Sequence, residues 1–468
     1  MSRKNRELPL LEQVTVADAG AEGMAVARVD GLVVFVPFVV PGDVVDIQLI
    51  KKKKNYAEGR AVKFHSLSPL RVAPVCPHFG VCGGCKWQTM NYQAQLEAKQ
   101  RQVRDNLERL GGVDCSGMRP ICGSEQIYYY RNKLEFTFSN RAWRTKEEME
   151  AGVDNNWGAL GFHIPQLFDK VLPIEHCALQ ADPSNAIRLA VRDYALANSL
   201  ECYDIRNHTG FLRNLVLRNT SLGHWMVIVI VAQDDPSRLF PLLDMLRDRF
   251  PQITSLQYII NNKMNDSYSD LEVHTYCGDD HIEEQMGSLR FIINPKSFYQ
   301  TNSRQAHRLY SFVAEMAELQ PNDTLYDLYT GTGTIALFLA ASCRRVVGIE
   351  YVEEAIADAR VNARANGFDN TTFYAGDMAK VLTQEFIAAN GRPDVVVTDP
   401  PRAGMHERVV AQLLEAAPRK IVYVSCNPAT QARDLQLLAA RYDVRRIQPV
   451  DMFPHTQHVE NVAELVLR

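Results

Sequence analysis

The chain has 468 residues, of which 46% are hydrophobic and 23% charged, a composition typical of a globular protein with roughly two to four domains. Its net charge of −4 provides no global attraction for nucleic acid, so an RNA partner would have to be bound by local basic patches. No stretch reaches the roughly eighteen apolar residues of a membrane span, and no signal-peptide pattern is recognisable, so we expect a cytoplasmic protein with no membrane partner.

The first predicted domain covers residues 1–72. Apolar and polar residues alternate between glycine and Pro-Gly turns, the pattern of short strands that close into a small OB-like β-barrel. The run Lys51–Lys54 is followed by Asn55 and Tyr56. Four cations beside an aromatic ring fit either a contact with an RNA backbone or a solvated hairpin tip.

Three cysteines follow the barrel, and glycines lie between two of them: Cys76, Cys82 and Cys85. In a reducing compartment such a cluster indicates metal ligands rather than disulfides. The residues alone favour tetrahedral zinc, although thiolates also suit an iron–sulfur cluster. A fourth ligand must come from elsewhere, and His78 or His176 offers an alternative to a cysteine.

The cysteine loop opens a second predicted domain, residues 73–290, of mixed α+β structure. Apolar residues at helical spacing within 91–110 predict a helix with one buried face, which could pack on the C-terminal domain; they are Leu96, Val103, Leu107 and Leu110. Strand-like runs and one amphipathic segment follow, at 133–139, 212–218, 225–232 and 236–249.

Residues 291–468 form the third predicted domain, in which strands and helices alternate. This order predicts an α/β fold, a doubly wound Rossmann-like sheet with helices on both faces. Within 324–340 a strand leads into a Gly-x-Gly turn and an apolar helix, and Glu350 ends the next strand, where an acidic residue can bind ribose hydroxyls. A dinucleotide site would have a third glycine, which Ile335 and Ala336 do not supply, so the pattern favours S-adenosylmethionine over NAD.

Two more predicted strands end in acidic residues, Asp377 and Asp399, and the second continues as Pro-Pro-Arg402. The carboxyl ends of parallel strands meet at one edge of a sheet. We therefore expect both carboxylates to line the same crevice as Glu350.

Cys426 is the predicted nucleophile. It follows the strand-like run Ile421–Ser425 and precedes Asn427 and Pro428, a predicted N-cap and first helical residue. Unpaired backbone N–H groups at a helix start favour a thiolate over a thiol.

Two motifs resemble the RNA uracil-5-methyltransferase family. Asp-Pro-Pro-Arg-Ala-Gly, residues 399–404, together with Ile-Val-Tyr-Val-Ser-Cys-Asn-Pro-Ala-Thr, residues 421–430, looks like the signature around its nucleophile. The segment 450–460 is similar to its C-terminal signature, which ends in the catalytic glutamate. The barrel looks like a TRAM domain, and barrel plus cysteine loop are similar to the 23S ribosomal RNA branch, which carries an iron–sulfur cluster.

The resemblance implies methylation of uracil C5 in RNA, with Cys426 adding to C6 and Glu460 removing the C5 proton. The donor implied is S-adenosylmethionine, held by residues that match the family's pocket: Gln300, Tyr329, Glu350, Asp377 and Asp399. Thr334 matches a further pocket position, where it is shorter than the family's asparagine.

The resemblance also supplies a fourth cysteine ligand, Cys177, and favours a four-iron four-sulfur cluster, with zinc as the alternative. It implies an RNA substrate, 23S ribosomal RNA first and transfer RNA second, and no obligate protein partner. The segment 128–133 interleaves tyrosines with cations and resembles an RNA-facing part of the family, although half-buried strand tyrosines would give the same pattern. The target base should be flipped into the site.

Two other classes of function compete with this hypothesis. Amino-group methylases contain a related Asp-Pro-Pro motif but need no thiolate, and Arg402 stands where they have an aromatic residue. A non-catalytic RNA-binding assembly factor could retain the barrel and the cysteines.

Overall fold

The computed structural model describes residues 8–152 and 157–468, so the first seven residues of the predicted barrel domain lie outside the described part. The N-terminal region is a closed barrel of strand order β1-β2-β3-β5-β4, which confirms the predicted fold. Its strands are β1 (Leu10–Ala19), β2 (Ala25–Val29), β3 (Leu32–Val36), β4 (Val44–Lys52) and β5 (Tyr56–Ser66). Small and β-branched side chains fill its interior.

Lys51–Lys54 lie exposed at the hairpin tip between β4 and β5. Where the chain leaves the barrel, the buried Asp43 carboxylate accepts hydrogen bonds from the Arg71 guanidinium at 2.7 Å and from the Ser68 backbone N–H at 2.9 Å. This ion pair lies where the barrel joins the chain that follows it, since Arg71 forms a β-bridge with Met90.

The central sheet has seven strands in the order β12-β11-β10-β9-β6-β7-β8. They are β6 (Lys133–Ser139), β7 (Ala159–Ile164), β8 (Leu167–Pro173), β9 (Leu212–Asn219), β10 (Trp225–Val231), β11 (Ile253–Ile260) and β12 (His274–Gly278). Helix α1 (Tyr92–Gly111) precedes this sheet. The helices of the central region are α2 (Lys146–Glu150), α3 (Ser184–Ala197) and α4 (Pro236–Arg249). Every residue of β10 is buried, because one face of the sheet meets α3 and α4 and the other meets the C-terminal region.

The C-terminal sheet has the order β17-β16-β15-β18-β19-β21-β20. Its strands are β15 (Thr324–Leu328), β16 (Arg345–Glu350), β17 (Thr371–Ala375), β18 (Val395–Thr398), β19 (Lys420–Ser425), β20 (Tyr442–Val450) and β21 (Glu460–Leu467), preceded by the hairpin β13 (Ile282–Met286) and β14 (Leu289–Ile293). The helices are α5 (Ser303–Ala317), α6 (Thr334–Ala340), α7 (Glu353–Ala365), α8 (Met378–Val381), α9 (Gln384–Asn390), α10 (Glu407–Ala416) and α11 (Pro428–Leu438).

This sheet is the predicted doubly wound one, with apolar helix faces packed on both sides. Strand order reverses between β15 and β18, which opens a crevice at their carboxyl ends. The pairs from β17 to β19 are parallel, whereas β21 runs antiparallel between β19 and β20. Within the described ranges, no helix is both long and apolar enough to traverse a bilayer.

Helix α1 lies against α11 rather than within the central region. Asn91 caps its first turn through a hydrogen bond from the Ala94 N–H at 2.9 Å, and Gly112 ends it in the left-handed region at φ 61°. Val103 and Leu107 are buried in the core beneath the C-terminal sheet. Leu110, predicted to share that face, is 54% exposed, because the chain turns away at the helix end.

Gly161 in β7 provides a test of how tightly the central sheet is packed. A Cβ atom there would lie 1.9 Å from the backbone oxygen of Leu172, so the main chain would have to move. We expect Gly161→Ala to destabilise the protein by about 3 kcal/mol, as overpacking does. Gly367, at φ 71° with open space around it, is the control, and its alanine variant should lose only about 1 kcal/mol. Equal losses in urea unfolding would contradict this packing.

Candidate active site

Cys426 lies at the junction between a strand and a helix. It directly follows β19, and the Asn427 side chain caps α11 by accepting a hydrogen bond from the Ala429 N–H at 3.1 Å. Pro428 is the first residue of the helix. The predicted local structure is therefore confirmed, and the thiol is half-buried at the edge of the sheet.

Strand pairing sets Cys426 beside Glu460. Ser425 pairs with Asn461 at the end of the antiparallel ladder of β19 and β21, and Cys426 and Glu460 are the residues that adjoin this pair on the two chains. The charge of Glu460 acts on the Cys426 thiol, as expected of groups this near to each other. Glu460 is buried, not an exposed terminal carboxylate, because β21 is an interior strand.

The turn after β15 lies at the same edge of the sheet. Tyr329 and Gly331 have positive φ angles of 63° and 55°, and Gly331 has open space on its Cβ side. The Glu350 carboxylate accepts hydrogen bonds from the Gly331 N–H at 3.1 Å and the Tyr351 N–H at 2.8 Å. An acidic side chain and a bare backbone turn thus share one side of the crevice.

The other predicted pocket residues lie around this turn. Asp399 follows β18, and its N–H donates to the Leu328 carbonyl at 3.3 Å, which aligns it with Tyr329. Asp377 caps α8 by accepting from the Ala379 N–H at 3.0 Å. Gln300 is on the segment before α5, close to Phe298, whose carbonyl accepts from the Thr332 hydroxyl of the turn at 3.3 Å.

A further carboxylate at this edge was not among the predicted site residues. Asp327, within β15, is 1% exposed; one oxygen accepts from the Thr330 hydroxyl at 2.6 Å, and the other has no hydrogen-bond partner in the described structure. Its signal in the sequence was an acidic residue inside an otherwise apolar strand just before the glycine turn. A buried carboxylate oxygen of this kind requires an explanation, and a bound water or ligand group at this edge would provide one.

Three carboxyl groups share this low-dielectric region. Burial, and for Asp399 also the charge of Asp327, raises the pKa of Asp327 and of Asp399 to about 7. Burial and the charge of Asp399 raise the pKa of Glu460 well above its usual range, while Arg402 acts in the opposite direction. The site therefore favours proton uptake or a cationic ligand.

The prediction that Cys426 is a thiolate is wrong for the free protein. Burial, followed by the charges of Glu460 and Asp399, raises the pKa of the Cys426 thiol to about 11. The helix start does not offset these effects. Cys426 is a thiol at neutral pH in the absence of ligands.

Comparisons with known proteins agree with this geometry. A family model described as tRNA (Uracil-5-)-methyltransferase matches residues 275–467, and a TRAM domain model matches residues 12–62. An RNA methyltransferase of Bacteroides thetaiotaomicron is 58% identical over 452 residues, which cover 96% of this chain and 100% of that protein. An RNA methyltransferase of Chlorobaculum tepidum is 41% identical, over 94% and 91% of the two chains.

The chain belongs to the RNA uracil-5-methyltransferase family. A solved structure of the tRNA (uracil-54, C5)-methyltransferase of Pyrococcus abyssi, in complex with S-adenosyl-L-homocysteine, is similar over 97% of this chain and 99% of that one, with 29% identity and a TM-score of 0.75. This protein is thus an S-adenosylmethionine-dependent RNA methyltransferase with a TRAM barrel.

The four predicted cysteine ligands of the methyltransferase line one cavity of about 740 Å³, between the loop 76–85 and the β7–β8 hairpin. Burial raises the pKa of all four thiols, to about 11 for Cys82 and about 12 for Cys85. Over 8–152 and 157–468, no His, Cys, Asp and Glu side chains are grouped as a metal ion requires. The predicted metal site is therefore a shared cavity of thiols and is not confirmed as a metal centre.

Both histidines offered as alternative ligands have their Nε2 atoms engaged. His78 Nε2 accepts from the Glu175 N–H at 2.9 Å, and His176 Nε2 lies 3.2 Å from the Tyr129 hydroxyl. The side chain of Gln88 accepts from the Cys76 N–H at 3.0 Å, and that of Asn185 accepts from the Cys177 N–H at 2.8 Å. Buried amides thus orient two of the four cysteines.

The buried Asp327 should make stability depend on pH. Its ordinary pKa is 3.8 and its folded-state pKa about 7, so between these values the unfolded chain releases a proton that the folded chain keeps. The folded state loses stability as pH rises through this window. We expect Asp327→Asn to raise the melting temperature of the cofactor-free methyltransferase more at about pH 8 than at about pH 5.5. A gain independent of pH would contradict the assignment.

Proposed function

We propose that the enzyme methylates C5 of one uridine class in RNA through a covalent bond between Cys426 and C6, with Glu460 as the general base. The observation that supports this most directly is the β19–β21 register, which sets a thiol and a buried carboxylate side by side at the ligand crevice. Neither amino-group methylation nor simple RNA binding needs that pair.

The thiol is required because uracil C5 is a weak nucleophile. When the Cys426 sulfur bonds to C6, the electron pair of the C5–C6 bond moves toward O4, and C5 becomes enolate-like. Bound S-adenosylmethionine would supply an electrophilic methyl group. The thiol proton must first leave, and a positive ligand charge near Glu460 and Asp399 would lower the thiol pKa that these groups raise.

Glu460 then completes the reaction. After C5 has gained the methyl group, the Glu460 carboxylate takes the C5 proton, the C5–C6 double bond re-forms and the Cys426 sulfur leaves C6. A raised pKa suits a carboxylate to this proton transfer. The target base must leave its stack to reach a half-buried thiol, so we propose that it is flipped.

The cofactor pocket fits this donor through its own residues. Glu350 would accept ribose hydroxyls, and the open turn at Gly331 admits a ligand against the backbone. Asp327 and Asp399 provide carboxylates where a cationic donor would bind. We also assign Gln300, Tyr329 and Asp377 to this pocket, because all three lie around the same strand ends.

We propose 23S ribosomal RNA as the substrate, on the resemblance of barrel plus cysteine loop to the ribosomal branch. Transfer RNA is the second candidate, because the similar Pyrococcus abyssi enzyme acts on it and matches this chain over nearly its full length. In either case the exposed Lys51–Lys54 tip of the TRAM barrel would contact phosphates.

For the cysteine cavity we propose a four-iron four-sulfur cluster bound by Cys76, Cys82, Cys85 and Cys177. All four line the cavity; His78 and His176 line it too, but the Nε2 atom of each is already hydrogen-bonded. A single zinc ion binds each thiolate at about 2.3 Å and needs a tighter grouping than the structure has. A cluster, which spreads its ligands over several metal ions, fits the wider cavity better than zinc does.

The covalent mechanism predicts a trapped complex with 5-fluorouracil-substituted RNA, since fluorine at C5 cannot leave as a proton. Wild type should form a denaturation-resistant complex with either 23S or transfer RNA, and the trapped RNA identifies the substrate. Cys426→Ala should form none and lose at least about 10³-fold in turnover. Glu460→Gln should trap unsubstituted RNA as well. Full turnover by Cys426→Ala would favour amino-group methylation, and no methyl transfer by wild type would favour a binding factor.

The cluster proposal predicts iron and acid-labile sulfide in anaerobically purified enzyme. Cys82→Ser should lose both, because one thiolate ligand is missing. Cys277→Ser is the control, since this exposed cysteine lies on β12 outside the cavity, and it should keep both. Zinc in place of iron would overturn the cluster, and absence of any metal from wild type would overturn the four-cysteine site.

A further inference from the structure

We infer that the loop 451–459, which joins β20 to β21, positions Glu460, and that Lys99, Asp451, Tyr92 and Gln95 hold this loop in place. The same loop is hydrogen-bonded to the chain that leaves the cysteine loop, so the cysteine cavity and the general base share one support. This inference rests on the role proposed for Glu460.

The loop begins at a buried ion pair. The Asp451 carboxylate accepts hydrogen bonds from Lys99 Nζ at 2.6 Å and from the Tyr92 hydroxyl at 2.7 Å, both on α1. It also accepts from the Phe453 N–H at 3.0 Å, within the loop. Neither charged side chain is exposed to solvent. An isolated charge here would be costly, so each charged group requires its partner.

Lys99 binds the loop at a second point. Its Nζ donates to the Phe453 carbonyl at 3.0 Å, in addition to Asp451. Asp451 in turn follows Val450, the residue that pairs with Glu460 across β20 and β21. A shift of the ion pair would therefore move the residue opposite the general base.

The middle of the loop is held through His455, whose backbone adopts the left-handed region at φ 66°. Its carbonyl accepts from the N–H groups of Lys86 at 2.8 Å and Trp87 at 3.0 Å, the two residues after Cys85. Its own N–H donates to the Gln95 side chain at 2.8 Å. A strained residue persists where its surroundings fix it, so these bonds determine the loop conformation.

The segment 128–131 covers the other side of the loop. The Tyr128 ring stacks on His455 with centroids 4.3 Å apart, and the Tyr130 hydroxyl donates to the Pro454 carbonyl at 3.0 Å. The Arg131 guanidinium lies 5.4 Å from the Phe453 ring and also lines the cysteine cavity. Much of the segment predicted to face RNA therefore supports the loop.

The consequence concerns one step of the reaction. Cys426 lies between β19 and α11 and makes none of these contacts, so its addition to C6 and the methylation of C5 should tolerate a displaced loop. Removal of the C5 proton needs Glu460 in place. Loss of the loop supports should therefore slow proton removal selectively, and the methylated covalent adduct should accumulate.

The test is a single-turnover reaction of the full-length enzyme with methyl-labelled S-adenosylmethionine and substrate RNA. We expect Asp451→Asn to retain methyl transfer but to slow release of methylated RNA by roughly 10- to 100-fold, the cost of a small misplacement of a reacting group. The readout is the labelled, denaturation-resistant adduct. Hydrogen exchange of the 451–460 amides should also become faster.

Asp323→Asn is the control, because it removes another buried carboxylate, paired with Arg419, at the starts of β15 and β19, the opposite edge of the C-terminal sheet from Glu460; it should accumulate no adduct. Tyr92→Phe is a milder variant that keeps both charges: it removes the hydroxyl that donates to Asp451 and accepts from the Ser124 N–H, and it should accumulate adduct to a smaller extent, even if Asp451→Asn fails to fold. Gln95→Leu loses its hydrogen bonds to His455 and to the Trp87 and Met90 carbonyls, and it should also accumulate adduct.

Two results would overturn the inference: unchanged adduct levels in folded Tyr92→Phe and Gln95→Leu, or equal slowing of methyl transfer and release. The Glu460→Gln variant distinguishes a wrong positioning role for the loop from a wrong catalytic role for Glu460. If Glu460→Gln accumulates labelled adduct and the loop variants do not, only the positioning role is wrong. If Glu460→Gln accumulates none, the proposed role of Glu460 itself is wrong.

Discussion

The insertion of β21 between β19 and β20 is the constraint on which the site depends. It brings Glu460 next to Cys426 through the backbone pairing of Ser425 with Asn461 and of Val450 with Glu460, so the geometry does not rely on flexible side chains. A slip of one residue would turn every side chain of β21 to the other face of the sheet. Burial of both faces prevents that slip, since β21 carries six buried residues in succession at positions 460–465.

The same burial determines the electrostatics of the site. Carboxyl groups from β15, from the end of β18 and from the start of β21 meet in a region with little water, which raises the pKa of each and of the nearby thiol. The arrangement is unfavourable for the empty fold and favourable for a cationic ligand. The buried carboxyl groups therefore lower the stability of the ligand-free protein. The apolar cores on both faces of the sheet offset this loss.

Much of the fold and part of the site could be predicted because they depend on local sequence. Period-two alternation marked the barrel, alternating strands and helices marked the doubly wound sheet, and Asn427-Pro428 marked the start of α11. The features that were not predicted depend on residues that are distant in sequence. The pKa of Cys426 is raised by burial and by the charges of Glu460 and Asp399, and the reversed direction of β21 has no local signal. The Lys99–Asp451 pair joins residues far apart in sequence, and the motif that contains Asp451 does not indicate Lys99 as its partner.

The buried ion pair at the loop 451–459 also links Glu460, the proposed general base, to parts of the chain that are distant in sequence. The loop contacts α1, the chain after the cysteine loop and the segment before β6, all of which precede the C-terminal sheet in sequence. Hydrophobic packing alone would hold the hairpin without specifying its direction, whereas charge-assisted hydrogen bonds are directional. Because Asp451 and Lys99 are both excluded from water, a partly docked loop would leave two unpaired charges, so the proposed general base, Glu460, should be either fully positioned or released.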